Sequence, residues 1–562
     1  MRLPLLIFTG LALAFSSCQS GDKKEEKSVE KKVAETPFVW ENANVYFLLT
    51  DRFENGDTSN DINFGRDKET GVLRGFEGGD IAGITNKIKE GYFNDLGITA
   101  IWMTPLVEQV HGDVDEGTGA TYGYHGYWAK DWTNLDPNFG TREELAEMVK
   151  VAHGKGIRVL LDVVINHTGP VNPIDPAWED EWVRLDPSCK HDNYENTVSC
   201  ALVDNLADIR TENKTEDVKL PAELVKKWTV EGRLAKEVAE LDAFFERTGY
   251  PRAPRYYIIK WLTDYIRDYG VDGFRVDTAK HTEEDVWTDL FEEAKKAFAE
   301  WKKSHPNDIM DDNEFYLVGE VYNYNANNGR IYDFGDQQVD YFDHGFKSLI
   351  NFGFKYDAQN SYEYLFNKYD SLLEGPLAGK SILNYLTSHD DGQPFDEKRE
   401  KPFESANKLL LSPGAAQVYY GDETIRNLVI DGTVGDATLR SFMNWDELNN
   451  GALRSGIKVE DVLAHYQKLG QFRKNHPSIG AGKHQMINES PYYFTRSWQS
   501  GSLEDQVLVG LDLAEGKKVV DVDGIYNNGD KLHDEYSGII TEVKNGQAIF
   551  DTPHAYLLIS KK

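Results

Sequence analysis

VDGFRVDTAKH (Val271–His281) begins as an apolar strand and ends in charge. Phe274 and Val276 suit a strand buried on both faces, as in a parallel sheet. Arg275, Asp277, Lys280 and His281 do not suit a packed layer, because buried charge is costly unless it is paired. The two halves are compatible if the strand leaves the packed layers near Asp277 and opens into a cleft.

The same design recurs along the chain. NVYFLLT (44–50), ITAIWMTP (98–105), IRVLLDVVINH (157–167), FYLVGEV (315–321) and AAQVYYG (415–421) are further apolar runs that read as buried strands. Between the second and third, Thr141 and Glu144 form a capping box. Leu145, Met148, Val149 and Ala152 then share one helical face, and Gly154 can end the helix. Strand–helix–strand repetition of this kind predicts a (β/α)8 barrel or a doubly wound sheet. Polar residues gather at the run ends: Asp51-Arg52, Asn166-His167, Arg275 with Asp277, Glu320, His389-Asp390 and Asp422-Glu423. Barrel enzymes collect their sites at the C-terminal ends of the strands, so six such ends favour the barrel and a converging site. The barrel is assigned to 39–167 and 211–478. An inserted loop domain at 168–210, after the third strand, holds Cys189 and Cys200. A polar, partly helical insertion spans 214–254, and an antiparallel β-sandwich domain spans 479–562.

The chain has 562 residues and a net charge of −33, from 94 acidic against 61 basic side chains. That field repels phosphate backbones and argues against nucleic acid as a partner. It suits a neutral substrate, or cations held by carboxylates. Arg2, the apolar Leu3–Phe15 and the small residues before Cys18 read as an export signal over 1–18, with a charged tether over 19–38. In an exported protein Cys189 and Cys200 are expected to pair as a disulfide.

Asp277, Glu320 and Asp390 are carboxylates at strand ends, the equipment used to split glycosidic bonds. DVVINH (162–167), GFRVDTAKH (273–281), GEV (319–321) and SHDD (388–391) resemble, in order and spacing, the four signature segments of the α-amylase family of glycoside hydrolases. LADIRTEN (206–213) resembles its fifth segment and YGYHGYW (122–128) its aromatic platform, so the resemblance covers about residues 40–562. Ser388 departs from the asparagine usual in the fourth segment. The resemblance implies Asp277 as nucleophile, Glu320 as general acid/base and Asp390 as the carboxylate that stabilises the distorted ring. It implies that Arg275 aims Asp277, and that His167 and His389 bind hydroxyls of the sugar at the cleaved bond. Tyr127 then stacks on that sugar, while Lys280 and His281 line the leaving-group side. Retention of configuration implies Asp277 and Glu320 carboxyls about 5–5.5 Å apart. The N-terminal segment resembles a lipobox, which implies lipidation of Cys18 and anchoring to the bacterial cell envelope, at the outer membrane or cell surface; the alternative is a secreted or periplasmic protein without the anchor.

Two calcium sites are expected. Asn55, Asp57, Asn60 and Asp61 crowd oxygen ligands into seven residues, which suits either a hard cation or an Asn/Asp/Gly-rich turn. The segment resembles the calcium loop of cyclodextrin glycosyltransferases, which implies Asn55, Asp57, Asn60, Asp61, the Gly78 carbonyl and Asp80 as Ca2+ ligands. The resemblance implies a second Ca2+ site from Asn166, Asp208 and the His281 carbonyl. The leading expectation is a monomeric hydrolase of α-glucan oligo- or polysaccharides, mainly at α-1,4 bonds. Two alternatives stand beside it: a cyclodextrin-forming or disproportionating transglycosylase, and a non-catalytic glycan-binding surface lipoprotein.

Overall fold

The computed structural model describes residues 37–115 and 117–562; Arg2, the apolar Leu3–Phe15, Cys18 and the charged tether lie outside them, apart from the tether's last two residues. Eight parallel strands close into a barrel. They are β1 (Asn44–Leu48), β2 (Ala100–Met103), β3 (Arg158–Val163), β4 (Gly273–Val276), β5 (Tyr316–Gly319), β6 (Ser348–Asn351), β7 (Ser381–Tyr385) and β8 (Ala415–Tyr419). Neighbours in sequence are neighbours in the barrel, and β8 pairs with β1 to close it. Helices pack outside, among them Arg142–Gly154, whose Thr141–Glu144 capping box is formed and whose Leu145, Met148, Val149 and Ala152 are buried. Between β5 and β6 the described chain makes two short 3-10 turns and a two-stranded antiparallel hairpin (Tyr332–Asp333 with Gln338–Val339) in place of a helix.

β6 and β7 are not among the apolar runs, and the structure shows why. Ser348, Asn351, Ser381 and Asn384 interrupt them, yet all four are fully buried. Asn351 donates to Asn384 at 2.9 Å and to the Tyr369 hydroxyl at 3.0 Å, and Asn384 donates to the Pro413 carbonyl at 2.9 Å. A buried amide is tolerated when its hydrogen bonds are made, and that pairing is visible only once the strands lie side by side.

After β3 the chain builds a three-stranded antiparallel sheet in which Leu206–Ile209 lies between His167–Pro170 and Val183–Arg184. Cys189 and Cys200 in this excursion are joined by a disulfide. The 214–254 insertion forms two helices, Ala222–Val230 and Leu234–Thr248. It docks through Lys227 and Arg233, which lie 2.9 and 2.5 Å from the buried Asp131. The chain ends in a six-stranded antiparallel sheet faced by the pair Gly516–Asp521 and Gln547–Thr552, with its own apolar core around Leu508, Val520, Leu532, Phe550 and Ile559. Among the described residues no helix is long and apolar enough to cross a membrane.

Candidate active site

Side chains alternate along β4, so Phe274 turns to Phe315 (ring centroids 4.8 Å apart) while Arg275 turns into the barrel. Arg275 is 1% exposed and bridges three carboxylates. Its Nη1 donates to Asp277 Oδ1 at 2.6 Å and to the two oxygens of Asp162 at 2.9 and 3.0 Å. Its Nη2 lies 3.1 Å from Glu320 Oε2. Asp162 belongs to β3, and Asp277 and Glu320 directly follow β4 and β5. Three adjacent strands therefore deliver three acids to one guanidinium.

One positive charge does not balance three negative ones. Burial drives the Glu320 carboxyl well above the ordinary carboxylate range; Arg275 opposes this, and the charges of Asp277 and Asp390 add to it. Burial raises Asp162 in the same way, with Arg275 opposing and Asp277 adding. The cluster thus favours a proton on Glu320 while Arg275 stays charged.

The local backbone aims these groups. Thr278 takes a left-handed φ of 48°, unfavourable for a β-branched residue, and its N–H donates to Glu320 Oε2 at 2.8 Å. Gly319, just before Glu320, lets the Phe346 ring approach to where a Cβ would stand 2.9 Å away. A side chain at 319 would push the strand that carries Glu320.

Asp390 follows β7 and is the most open of the three predicted acids, its side chain 35% exposed against 9% for Asp277 and Glu320. Its Oδ1 accepts from Ser388 Oγ at 3.3 Å. Tyr127 is half-buried; its hydroxyl donates to Asp162 at 2.8 Å and its ring lies 5.2 Å from that of His389. His389 and His167 are buried, and burial holds both imidazoles below their ordinary pKa. Neutral rings of this kind can both donate and accept toward hydroxyls. Lys280 Nζ donates to the Tyr322 carbonyl at 3.2 Å and to the Tyr332 hydroxyl at 3.3 Å. The His281 ring turns instead to the excursion, its Nδ1 3.2 Å from the Thr197 carbonyl. A floor of acids under aromatic and imidazole rings can bind a polyol and move a proton between oxygens.

A family model for the α-amylase catalytic domain matches residues 47–482. The chain belongs to the α-amylase family of glycoside hydrolases. It is 36% identical over 538 residues to the periplasmic α-amylase of Escherichia coli, covering 84% of this chain and 72% of that protein. It is 26% identical to a cyclomaltodextrin glucanotransferase of Bacillus licheniformis, covering 90% of this chain and 63% of that one. Among solved structures, an Anoxybacillus α-amylase aligns with a TM-score of 0.64 at 22% identity, covering 94% of this chain and 99% of that one.

Two of the six polar strand ends do not join this amylase-family site. Asp51 and Arg52 pair with each other at 2.6 Å, and Asp51 accepts from the Glu77 and Gly78 backbone. Glu423 accepts from the hydroxyls of Tyr46 and Tyr92, and Asp422 pairs with Arg399 at 2.8 Å. All four are buried and their charges are spent on protein partners, so the expectation of six converging ends is corrected to four. Sequence reasoning also passed over residues that belong to the site. Asp162 was hidden inside an apolar run, where a lone acid was the available signal. Trp102 donates to Asp162 at 3.0 Å, and Arg440 donates to the His389 carbonyl at 2.9 Å; their sequence surroundings carry no sign of this.

The cation sets differ in fit. In the first, the side-chain oxygens Oδ1 of Asn55 and of Asn60 are buried without a hydrogen-bond partner among the described residues. Asn55 Nδ2 lies 2.8 Å from Asp61 Oδ1, and Gly78 (φ 91°) is pressed against both residues. Unpaired buried oxygens within one short loop suit a hard cation. Asp80 is partly spent: it caps the helix Ile81–Glu90 through Gly83 N and also accepts from the Gly56 and Asp57 backbone. Asp57 accepts from Ser59 on the exposed side of the loop. The second set fits less well. Asp208 Oδ2 already holds Arg184 Nε at 2.8 Å, and among the described residues Asn166 Oδ1 accepts only from Thr282 Oγ1, at 3.5 Å.

Proposed function

We propose that this amylase-family enzyme is a retaining hydrolase of α-glucosidic, mainly α-1,4, bonds in starch-type glucans or maltooligosaccharides. The carrying observation is the Arg275 bridge, which brings Asp277 and Glu320 to one guanidinium with Asp390 acting on the same cluster. The Asp277 carboxylate attacks the anomeric carbon as Glu320 gives its proton to the departing glycosidic oxygen, forming a glycosyl–Asp277 ester. Glu320, now ionised, takes a proton from water, and the resulting attack on the anomeric carbon frees Asp277 with configuration retained. The raised pKa of Glu320 supports the acid role, since a donor must keep its proton until the leaving oxygen takes it. Arg275 orients Asp277, and Asp390 holds ring hydroxyls in the strained transition state. Tyr127 stacks on the sugar, His167 and His389 contact its hydroxyls, and Lys280 with His281 borders the leaving-group side.

Asn55, Asn60, Asp61, the Gly78 carbonyl, Asp57 and Asp80 hold a structural Ca2+; bound there, the ion supplies charge to a loop rich in acceptors. The Asn166–Asp208–His281 set serves a cation only if Arg184 moves. The chain divides into the barrel at 39–167 and 211–478, the excursion at 168–210 and the β domain at 479–562. The resemblance to a periplasmic enzyme and the segment before Cys18 support export with a lipid anchor.

Product analysis with starch, pullulan, cyclodextrins and maltotriose tests the reading. Linear short maltooligosaccharides are expected. The likeness to cyclomaltodextrin glucanotransferases supports transfer as the second reading, and cyclic or disproportionated glucans would replace hydrolysis with it. Glu320→Gln should abolish turnover and spare glycan binding; unchanged turnover removes Glu320 from the acid role.

A further inference from the structure

Asp390 makes few bonds of its own. Besides Ser388 Oγ at 3.3 Å, its Oδ1 lies 3.6 Å from Nδ1 of the neutral His389 ring. Its aim therefore depends on the backbone of 388–392, and that segment is held at both flanks. On one side Arg440 donates to the His389 carbonyl at 2.9 Å. On the other, Asp391 turns away from the cleft, its side chain 13% exposed against 35% for Asp390. Asp391 Oδ2 lies 2.8 Å from the Lys355 ammonium and accepts from the Tyr385 hydroxyl. Lys355 also donates to the Gly392 carbonyl.

Lys355 is 2% exposed and comes from the single helical turn Phe354–Asp357 that follows β6, while Tyr385 is the last residue of β7. An ammonium at that depth is stable only with partners, and its polar partners are Asp391 and the Gly392 carbonyl. Neither touches the cleft side of Asp390. We propose that Lys355, acting through Asp391 and Gly392, is a positioning residue that sets the direction of Asp390 toward the sugar ring. This rests on the reading of Asp390 as the carboxylate that stabilises the distorted sugar. The acid at position 391 then has a purpose of its own: it is the handle by which the loop after β6 grips the loop after β7.

Lys355→Met alone leaves the half-buried Asp391 carboxylate without its cation, with only the Tyr385 hydroxyl still donating to it, so stability falls whatever the lysine does for catalysis. The informative variant is Lys355→Met/Asp391→Asn, which removes both charges and leaves Tyr385 an amide partner. Its melting temperature is expected to stay near that of the parent, while kcat on maltooligosaccharides falls roughly 10- to 100-fold with KM changed far less. Lys355→Arg keeps both contacts and should restore kcat to within a few-fold. In an Asp390→Asn background, read with an activated glycosyl fluoride, the double change should add almost nothing, because the group it aims is gone. A double variant with parental kcat overturns the proposal. So does a loss of equal size in the Asp390→Asn background. If Asp390→Asn itself keeps full activity, the reading of Asp390 fails instead, and the two failures are distinguishable.

Discussion

Asp277 and Glu423 look alike in sequence: each follows a buried barrel strand, and each is an acid in an apolar setting. Their surroundings separate them. Glu423 is fully buried and closed off by the hydroxyls of Tyr46 and Tyr92 and the Gly421 backbone. Asp277 shares Arg275 with two other acids, and its Oδ1 takes the Arg275 bond while its Oδ2 accepts no hydrogen bond from the described residues. Charge at a strand end is structural when its bonding capacity is filled, and chemical when part of that capacity is left open beside a competing charge. Asp51 falls on the structural side: burial pushes it up to about 7, with Arg52 and the Glu77 and Gly78 amides opposing.

The sharpest way to break this comparison is to neutralise one acid of each kind. Asp277→Asn should lower kcat/KM by at least about 10^4-fold with little change in melting temperature, since Arg275 keeps Asp162 and Glu320 as partners. Glu423→Leu should do the reverse. Two buried tyrosine hydroxyls lose their acceptor, at a cost of roughly 2–4 kcal/mol in denaturant unfolding, while kcat stays within a few-fold. Equal damage to turnover from both substitutions would erase the distinction.

A third test uses a buried group paired on both sides, as Glu423 is. His476, at the end of the helix Val459–Asn475, places its two ring nitrogens 2.8 Å from Asp505 and 2.8 Å from Glu535 of the β domain. Burial pulls its pKa down, but the two carboxylates prevail and raise it to about 9. The folded value lies above the ordinary 6.5, so the stabilisation is full below pH 6.5 and disappears as pH rises through 9. Melting curves between pH 6 and 10 should show a loss of roughly 1–3 kcal/mol that His476→Gln flattens. The smallest effect expected is from chelation. Removing Ca2+ should lower the melting temperature by a few degrees, and Asn55→Ala, which removes one of the unpaired oxygens, should abolish that shift. A melting temperature indifferent to chelation would leave the loop without its cation.

Much of the site was legible because its chemistry demands particular side chains in short segments. Asp277 with Arg275 two residues before it, Glu320 at a strand end and the His389-Asp390 pair all stand out against apolar runs. Asp422 and Glu423 stand out equally and mean something else, because nothing near them in sequence names Tyr46, Tyr92 or Arg399 as partners. β6 and β7 escaped for a related reason: their buried asparagines look like loop residues until each supplies the other's hydrogen bond.

Taken alone, the order of residues determined the alternation of strands and helices, the excursion after β3, the terminal β domain and the acids worth testing. Each follows from local periodicity or from the spacing of a few side chains. Only the tertiary structure decided which acids share a guanidinium, which are sealed by tyrosines, and that Lys355 grips the loop carrying Asp390. Those are distances between groups far apart along the chain. Burial and charge at such distances, more than residue type, decide whether a carboxylate holds a fold together or is left free to react.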